Sequence, residues 1–133
     1  MKYIGILILF LSLVACSSND DSNKNAKKEI LVEVKNGVFT EWYPGKKQIK
    51  FQGQQDELGR RNGIWRFYGE NGTELSFTEY QEGIKNGFTV VKYPSGVMHY
   101  RGEYQNDKTV GIWTVYDEKG KVASEKDYGY PAE

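Results

Sequence analysis

Few side chains in this chain of 133 residues have the chemistry to catalyse a reaction or to bind a metal ion. There is one cysteine, Cys16, and one histidine, His99. A single cysteine excludes a disulfide within the chain, and common zinc sites use several cysteine or histidine ligands. His99 is the only base for a Ser-His-Asp triad, but it falls in a predicted strand, where we interpret it as a packed or surface side chain. We therefore expect no metal and no cofactor.

Carboxylates are numerous, and a suitably spaced pair of them can hydrolyse a glycosidic bond. The acids at 56–57 and 117–118 fall in predicted turns, and those at 125–127 alternate along a predicted strand. These positions indicate solvated charges that protect the edges of a sheet. No glycine-rich phosphate-binding motif follows a strand. We expect that the protein is not an enzyme, and a hydrolase built on paired carboxylates is the catalytic alternative.

The composition limits both the partners and the fold class. The formal net charge is zero at pH 7. No strong field of one sign is available to attract nucleic acid, so we expect no nucleic-acid partner. The chain is rich in aromatic residues, which favour strands, and has 15 glycines, which favour turns. The composition therefore indicates an all-β fold.

The residues before Cys16 have the layout of an export signal. Lys2 supplies a positive start, a nearly continuous apolar run covers 3–14, and small residues lead into the cysteine. As a helix, that run would reach only about 20 Å, which is short of a bilayer core of about 30 Å. Residues 13–16, LVAC, resemble the lipobox of bacterial lipoproteins. That resemblance implies cleavage before Cys16 and attachment of lipid to its sulfur.

These features divide the chain into three parts. Residues 1–15 form the expected signal peptide, residues 16–28 the lipidated cysteine and a disordered tether, and residues 29–133 the folded domain. The tether sequence SSNDDSNKNAKK is small and polar, with nothing to bury. Ser17 stands where an Asp would resemble an inner-membrane retention signal. We expect a lipid-anchored protein of the cell envelope, in the outer membrane, facing the periplasm or the surface.

A period of about two dozen residues organises the folded part. Four times a glycine precedes an apolar or aromatic strand that closes on a tyrosine, and a turn and a second strand follow. The second strand closes on another tyrosine in three repeats, at Tyr80, Tyr104 and Tyr128. The repeat glycines are Gly37, Gly63, Gly87 and Gly111.

The connections between these units also carry a signal. Basic-Asn-Gly triplets occur at 35–37, 61–63 and 85–87. Asn-Gly favours a type I′ turn, so each triplet predicts a hairpin turn. The fourth unit has KTVG at 108–111, which predicts a looser connection. The first and third units hold one extra residue before their tyrosine, which predicts a β-bulge in each.

Together with a leading strand in 29–34, these units predict about nine strands in one antiparallel meander and no helix. A single hairpin cannot bury enough apolar surface, so stability must come from stacked neighbours. We interpret the aromatic residues as core and cross-strand packing. The alternative is an exposed aromatic stripe that binds sugar or peptide. Its candidate residues are Trp42, Trp65, Trp113, Tyr68, Tyr93 and Tyr116.

The segments NGIWRFYGENGTELSFTEY, NGFTVVKYPSGVMHYRGEY and GIWTVYDEKGKVASEKDY resemble the bacterial variant of the MORN repeat. The resemblance covers residues 36–128, and the first repeat fits less well. It implies an elongated, single-layer antiparallel sheet of β-hairpins that serves as a scaffold or binding surface without catalytic residues. Many bacterial members are named as antitoxin components of toxin–antitoxin systems.

The function that follows is that of a non-catalytic, membrane-anchored lipoprotein whose repeat sheet binds or scaffolds a protein. Its expected partners are the membrane, through lipid on Cys16, and another protein. One alternative is an antitoxin or immunity-type protein that neutralises a toxin. The other is a glycan-binding envelope lipoprotein that uses tryptophan and tyrosine platforms.

Overall fold

A computed structural model describes residues 29–132 of the chain. The expected signal peptide, 1–15, and the lipidated cysteine and tether, 16–28, lie outside the described residues. The described part contains nine strands and no helix. The strands are β1 (Val32–Lys35), β2 (Val38–Trp42), β3 (Ile49–Gln55), β4 (Arg61–Tyr68), β5 (Glu74–Gln81), β6 (Ile84–Lys92), β7 (Met98–Gln105), β8 (Lys108–Tyr116) and β9 (Val122–Asp127).

The nine strands form one sheet in sequence order, from β1 at one edge to β9 at the other. Every neighbouring pair is antiparallel. The extensive contacts between strands all join sequence neighbours, so the sheet is open. This confirms the predicted all-β fold and the antiparallel meander of nine strands.

The turn prediction is right at one triplet and wrong at the other two. Asn36 and Gly37 form the turn between β1 and β2, with φ values of 51° and 75°. Residues 61–63 and 85–87 instead lie inside β4 and β6. The chain has already reversed before each of them, so these triplets continue a strand.

The actual reversals use other residues with positive φ. Between β3 and β4, the Asp56 carboxylate accepts hydrogen bonds from the backbone N–H of Leu58 and of Arg60 and closes the loop. Glu82 and Gly83 connect β5 to β6, and residues 106–107 connect β7 to β8. The predicted looser connection at 108–111 is therefore wrong, because those residues belong to β8 and follow a tight two-residue turn.

Three repeat glycines occupy the same place in successive hairpins. Each lies opposite the tyrosine that closes its hairpin and has a positive φ inside its strand. The pairs are Gly63 with Tyr80, Gly87 with Tyr104, and Gly111 with Tyr128. Gly37 lies at the same level, with its carbonyl accepting from the Gln55 N–H at 2.7 Å, but it is part of a turn. The last three hairpins are thus equivalent at this position, and the first differs.

A β-bulge interrupts every hairpin, and not only the first and third. The extra residue of those two units is Tyr43 or Tyr93, which lies just beyond its strand. The Tyr43 hydroxyl donates to the Tyr68 carbonyl at 2.8 Å, and the Tyr93 hydroxyl to the Tyr116 carbonyl at 2.9 Å. Two kinds of hairpin therefore alternate. Within the hairpins the bulges lie between Glu41 and Trp42, Phe67 and Tyr68, Val91 and Lys92, and Val115 and Tyr116. Three further register shifts occur where successive hairpins pair, between Gln52 and Gln54, Thr78 and Tyr80, and Arg101 and Glu103.

The side chains of the sheet divide between two faces, because successive residues of a strand point to opposite sides. We call the side that carries Trp65 and Trp113 the tryptophan face. A row of cross-strand partners joins the two indoles through Thr78, Thr89 and Gly102. The two threonine hydroxyls lie 2.7 Å apart. We call the opposite side the groove face, and it carries Thr114, which is 2% exposed.

Candidate binding groove

The Trp65 ring is a packing element. Its side chain is only 3% exposed, and its Nε1–H donates to the Gln54 carbonyl at 2.8 Å. The ring centroid lies 5.3 Å from Phe39 and 5.0 Å from Phe51. Beneath it is Gly53, where a Cβ atom would come within 2.3 Å of the indole. A ring held in this way offers no open platform to a sugar.

Trp113 repeats this arrangement in the last hairpin. Its Nε1–H donates to the Glu103 carbonyl at 3.2 Å, and its ring covers Gly102. The Tyr104 ring meets the indole edge to face at 5.0 Å, and the Tyr128 ring does so at 6.4 Å. These contacts use the indole for packing within the last hairpin and against the preceding one.

Basic side chains cover the aromatic residues of this face. The Arg61 guanidinium lies 4.8 Å from the centroids of both Phe51 and Trp65. The Lys85 ammonium lies 4.7 Å from the Tyr104 ring centroid. Such cation–π contacts are worth about 0.5–2 kcal/mol each. The basic residues of the second and third triplets, Arg61 and Lys85, thus take part in the aromatic packing from inside strands.

The other predicted aromatic residues are dispersed along the sheet. Tyr93 stacks on His99 with centroids 4.4 Å apart, so the single histidine is a packed side chain. Tyr68 and Tyr116 offer their carbonyls to tyrosines of the preceding hairpins. The buried Nε1 of Trp42 has no hydrogen-bond partner among the described residues. The structure does not bring the six candidates together into one binding site.

A groove of about 740 Å³ opens on the groove face, across β5 to β9. Its apolar lining includes Phe77, Val90 and Met98. Phe88 and Ile112 also line it, with exposed fractions of 58% and 57%. These two residues directly follow repeat glycines, so the repeat itself places apolar side chains in the groove.

A row of acids runs through the same groove. We call Glu79, Glu103 and Asp127 the acid ladder, because each occupies the same place in one of the last three hairpins. The three lie opposite Ile64, Phe88 and Ile112 across their hairpins. In the first hairpin the equivalent pair is Val38 and Gln54, which carries no charge. The acid ladder is therefore confined to the end of the sheet where the groove lies.

The acid ladder is held by neutral donors. Glu79 accepts from the backbone N–H of Phe88 at 3.2 Å, and Asp127 accepts from that of Gly129 at 2.8 Å. Glu103 accepts from the Tyr130 hydroxyl at 2.7 Å. That bond to a carboxylate raises the pKa of Tyr130 above its ordinary value, because it favours the neutral phenol.

Tyr130 closes one end of the groove by crossing β8. A Cβ atom on Gly111 would lie 2.6 Å from the Tyr130 hydroxyl oxygen. The repeat glycine thus has a second use here, since its missing side chain lets Tyr130 reach Glu103. Gly111 was predicted from the sequence as a repeat glycine, but its contact with Tyr130 was not.

No residue of the acid ladder forms an ion pair with Lys or Arg within residues 29–132. Glu125 also lines the groove, where it accepts a hydrogen bond from Thr114 at 3.3 Å. Arg101 is the one basic residue in the lining. The groove is therefore apolar and carries an excess of negative charge.

The acid ladder was not predicted from the sequence. Its three acids are 24 residues apart, the same interval as the repeat glycines, and this spacing could have revealed them. The acids at 125–127 were interpreted from their neighbours along the chain, whereas the sheet groups Asp127 with Glu79 and Glu103 across hairpins.

The separation of the carboxylates bears on whether the groove could hydrolyse a glycosidic bond or hold a metal ion. Members of the acid ladder lie on every second strand, which in an ideal sheet separates neighbours by about 9–10 Å, and the register shifts beside Glu79 and Glu103 alter that value. The ideal value is at the upper end of the separation of about 6.5–9.5 Å between the carboxylates of inverting glycosidases. Within the described part of the chain, no group of three His, Cys, Asp or Glu residues could hold a metal ion.

Comparison with known proteins assigns neither a family nor a function to the chain. No protein-family model matches the chain. No curated protein matches it in sequence. In residues 29–132 there is no helix of the length and hydropathy needed to cross a membrane.

Proposed function

We propose that the protein is a non-catalytic, lipid-anchored envelope lipoprotein whose MORN-like repeat sheet binds another protein. The observation that supports this most is the open groove, where Phe88 and Ile112 are each more than half exposed. Exposed apolar patches rimmed by polar residues often mark interaction surfaces. Within residues 29–132 no second layer covers this face of the sheet.

The membrane anchor follows from the lipobox-like residues 13–16 and is tested separately. Replacing Cys16 with Ala removes the sulfur that would carry the lipid, so the Cys16→Ala protein should leave the membrane fraction. A Ser17→Ala variant should remain with the membranes. Retention of Cys16→Ala protein in washed membranes would contradict the anchor.

The binding role is tested by affinity capture from the envelope fraction, with identification of the captured proteins. A Phe88→Ser/Ile112→Ser double variant removes the apolar lining, whereas Leu58→Ser changes a side chain that is 77% exposed in a loop. A partner should be captured by the wild-type and Leu58→Ser proteins and lost with the double variant. Failure to find any protein with that dependence would contradict the proposed function.

The two alternatives give different results in these experiments. An antitoxin or immunity role is a narrower form of the proposal, and its captured partner would be a toxin. A glycan-binding role needs an exposed aromatic platform, but Trp65 and Trp113 are engaged in packing. A glycan array probed with the wild-type protein tests it directly. A glycan hit lost on replacement of Phe88 would favour that alternative.

A further inference from the structure

We propose that the free edge of β1 pairs with the same edge of a second copy of the chain, so that residues 29–35 of the two copies form an antiparallel strand pair centred on Val32. The pair extends the sheet across both copies around a two-fold axis, which makes the contact isologous. This inference goes beyond the proposed function, because the surface and the partner differ from those of the groove.

The outer edge of β1 has no partner strand within residues 29–132. β1 pairs only with β2, and the register of that pair contains no shift. The Leu31 carbonyl accepts from the Trp42 N–H at 2.8 Å, so the backbone groups of Leu31 point towards β2. Because these groups alternate along an antiparallel strand, those of Ile30, Val32 and Val34 point away from β2. A further strand can therefore add at this edge through main-chain hydrogen bonds.

The same three residues carry apolar side chains that the rest of the sheet leaves uncovered. Ile30, Val32 and Val34 are 73%, 44% and 57% exposed. Val34 lies opposite Phe39, whose ring packs on Trp65, so the three side chains belong to the tryptophan face. The strands β3, β5 and β7 have a neighbour on each side, whereas β1 has only one. The β1 strand of a second copy supplies the neighbour that is missing.

The charges of β1 select a second copy as the occupant of this edge. When the pair is centred on Val32, Glu29 lies opposite Lys35 of the second copy, and Lys35 lies opposite its Glu29. Ile30 then lies beside Val34 of the second copy, and the two Val32 side chains meet at the axis. Opposite charges directly across a strand pair stabilise it, as do paired apolar side chains. The segment is thus complementary to itself.

The neighbouring registers place like charges opposite each other, which is destabilising. A pair centred on Glu33 sets the two Glu33 carboxylates directly across from each other, and a pair centred on Leu31 sets Glu29 across from Glu33. A pair centred on Val34 runs into the turn at Asn36, where φ is positive, and joins fewer strand residues. In the register centred on Val32, Glu33 faces Leu31 instead.

The two charges that meet across the pair are available to a second copy. Neither Glu29 nor Lys35 forms an ion pair within residues 29–132. The Glu29 carboxylate accepts from the Gly45 N–H at 3.1 Å, which is a neutral donor. The charge of each side chain is therefore not compensated by the described part of its own chain.

The other free edge of the sheet is protected. β9 carries three charged residues in succession, Glu125, Lys126 and Asp127, and charges on an edge strand hinder the addition of another strand. β1 is therefore the edge that is open to a second copy. The groove spans β5 to β9 and stays clear of the contact, so the two grooves of the dimer lie on the same side of the joined sheet.

The strand pair is tested by disulfide trapping in the purified full-length chain, in detergent and under mild oxidation. In the proposed register the two Val32 Cα atoms form a hydrogen-bonded pair about 5.5 Å apart, within the range of about 4.4–6.8 Å that a disulfide spans. Val32→Cys should therefore give a covalent dimer well above the background of the wild-type chain, whose one cysteine is Cys16.

Val34→Cys is the matched control for the register. Val34 lies opposite Ile30 of the second copy and not opposite its own equivalent, so Val34→Cys alone should give no more dimer than the wild-type chain. Mixed with Ile30→Cys protein, it should give a covalent dimer of the two variants.

The charge pairs are tested with Lys35→Glu and Glu29→Lys, each made in the Val32→Cys background. Either variant alone places like charges opposite each other and should lower the yield of covalent dimer about three- to tenfold, as expected when two exposed ion pairs are reversed. A mixture of the two variants restores both pairs of opposite charge. The mixed dimer, identified by a size tag on one chain, should form at the yield of Val32→Cys.

Recovery in the mixture distinguishes charge pairing from damage to the fold, because each chain still carries its own substitution. The inference is overturned if Val32→Cys gives no dimer above the wild-type background, or if Val34→Cys couples to itself as strongly as Val32→Cys does. It is also overturned if the mixture of the two charge variants gives no more dimer than either variant alone.

Discussion

The contact between Trp65 and Gly53 makes a quantitative prediction for Gly53→Ala. The new Cβ atom would lie 2.3 Å from the indole Cδ2 of Trp65, whereas ordinary contacts begin at 3.4 Å. The indole must therefore withdraw by about 1 Å, which is an overpacking change. Since Gly53 does not have a positive φ, backbone strain contributes nothing to this effect.

The expected loss of stability has two parts. Overpacking of this kind costs about 1–3 kcal/mol. Withdrawal of the ring also weakens the hydrogen bond from Trp65 Nε1 to the Gln54 carbonyl, which is worth about 0.5–1.5 kcal/mol. The free energy of unfolding should fall by about 2–4 kcal/mol. With a urea m-value of about 2 kcal/mol/M, the unfolding midpoint should fall by about 1–2 M.

The assay is urea unfolding followed by tryptophan fluorescence and far-UV circular dichroism, in a double-mutant cycle with Trp65→Leu. If the clash is the cause, Gly53→Ala should cost much less in the Trp65→Leu background. Gly59→Ala is the control, since no atom lies near its Cβ position and its cost comes from a φ of +75°. That cost should be the same in both backgrounds. Equal costs of Gly53→Ala with and without the indole would refute the packing argument.

Three further predictions concern single contacts. Partial burial would raise the pKa of Asp56, but hydrogen bonds from Arg60 and the nearby backbone outweigh it and lower the pKa. The stability from this charge is therefore complete above its ordinary pKa of about 3.9 and is lost as the pH falls through the lower folded value. The stability gap to Asp56→Asn in urea unfolding should accordingly shrink in acid, and a gap independent of pH would contradict this. Tyr93→Phe removes the hydrogen bond to the Tyr116 carbonyl and should cost about 1 kcal/mol in urea unfolding; no measurable cost would contradict its role. Arg61→Lys should destabilise the protein in the same assay, because lysine lacks the planar group that stacks on the aromatic rings, and an unchanged midpoint would count against that stacking.

The meander was predictable from the sequence because glycines and aromatic residues recur along the chain at a nearly constant interval. The turns were less predictable, and Gly37 and Gly63 show why. Both have a φ of 75°, but Gly37 lies in a turn and Gly63 inside β4. A glycine tolerates this φ equally well in either place, whereas Asn36 has a positive φ and Asn62 does not. The choice depends on the loop closed by Asp56 and on Arg61 reaching the aromatic rings, which are contacts between distant residues.

The groove was not predictable in the same way. Which side chains share a face depends on the bulges, since each bulge shifts the alternation of the strand that follows. The sequence indicated bulges in two hairpins, whereas the structure has one in each of the four and a register shift wherever successive hairpins pair. The 24-residue spacing of Glu79, Glu103 and Asp127 was visible, but their common face was not. The sequence offered the tryptophans as candidate binding residues, but the face that carries Trp65 and Trp113 is used for packing.

Photo-crosslinking in intact cells tests the binding role most directly. A photoreactive amino acid at Ile112 places the probe in the groove, and the same amino acid at Leu58 places it in an exposed loop. The proposed function predicts an adduct with an envelope protein from Ile112 and none from Leu58. No adduct from Ile112, or the same adducts from both positions, would contradict it.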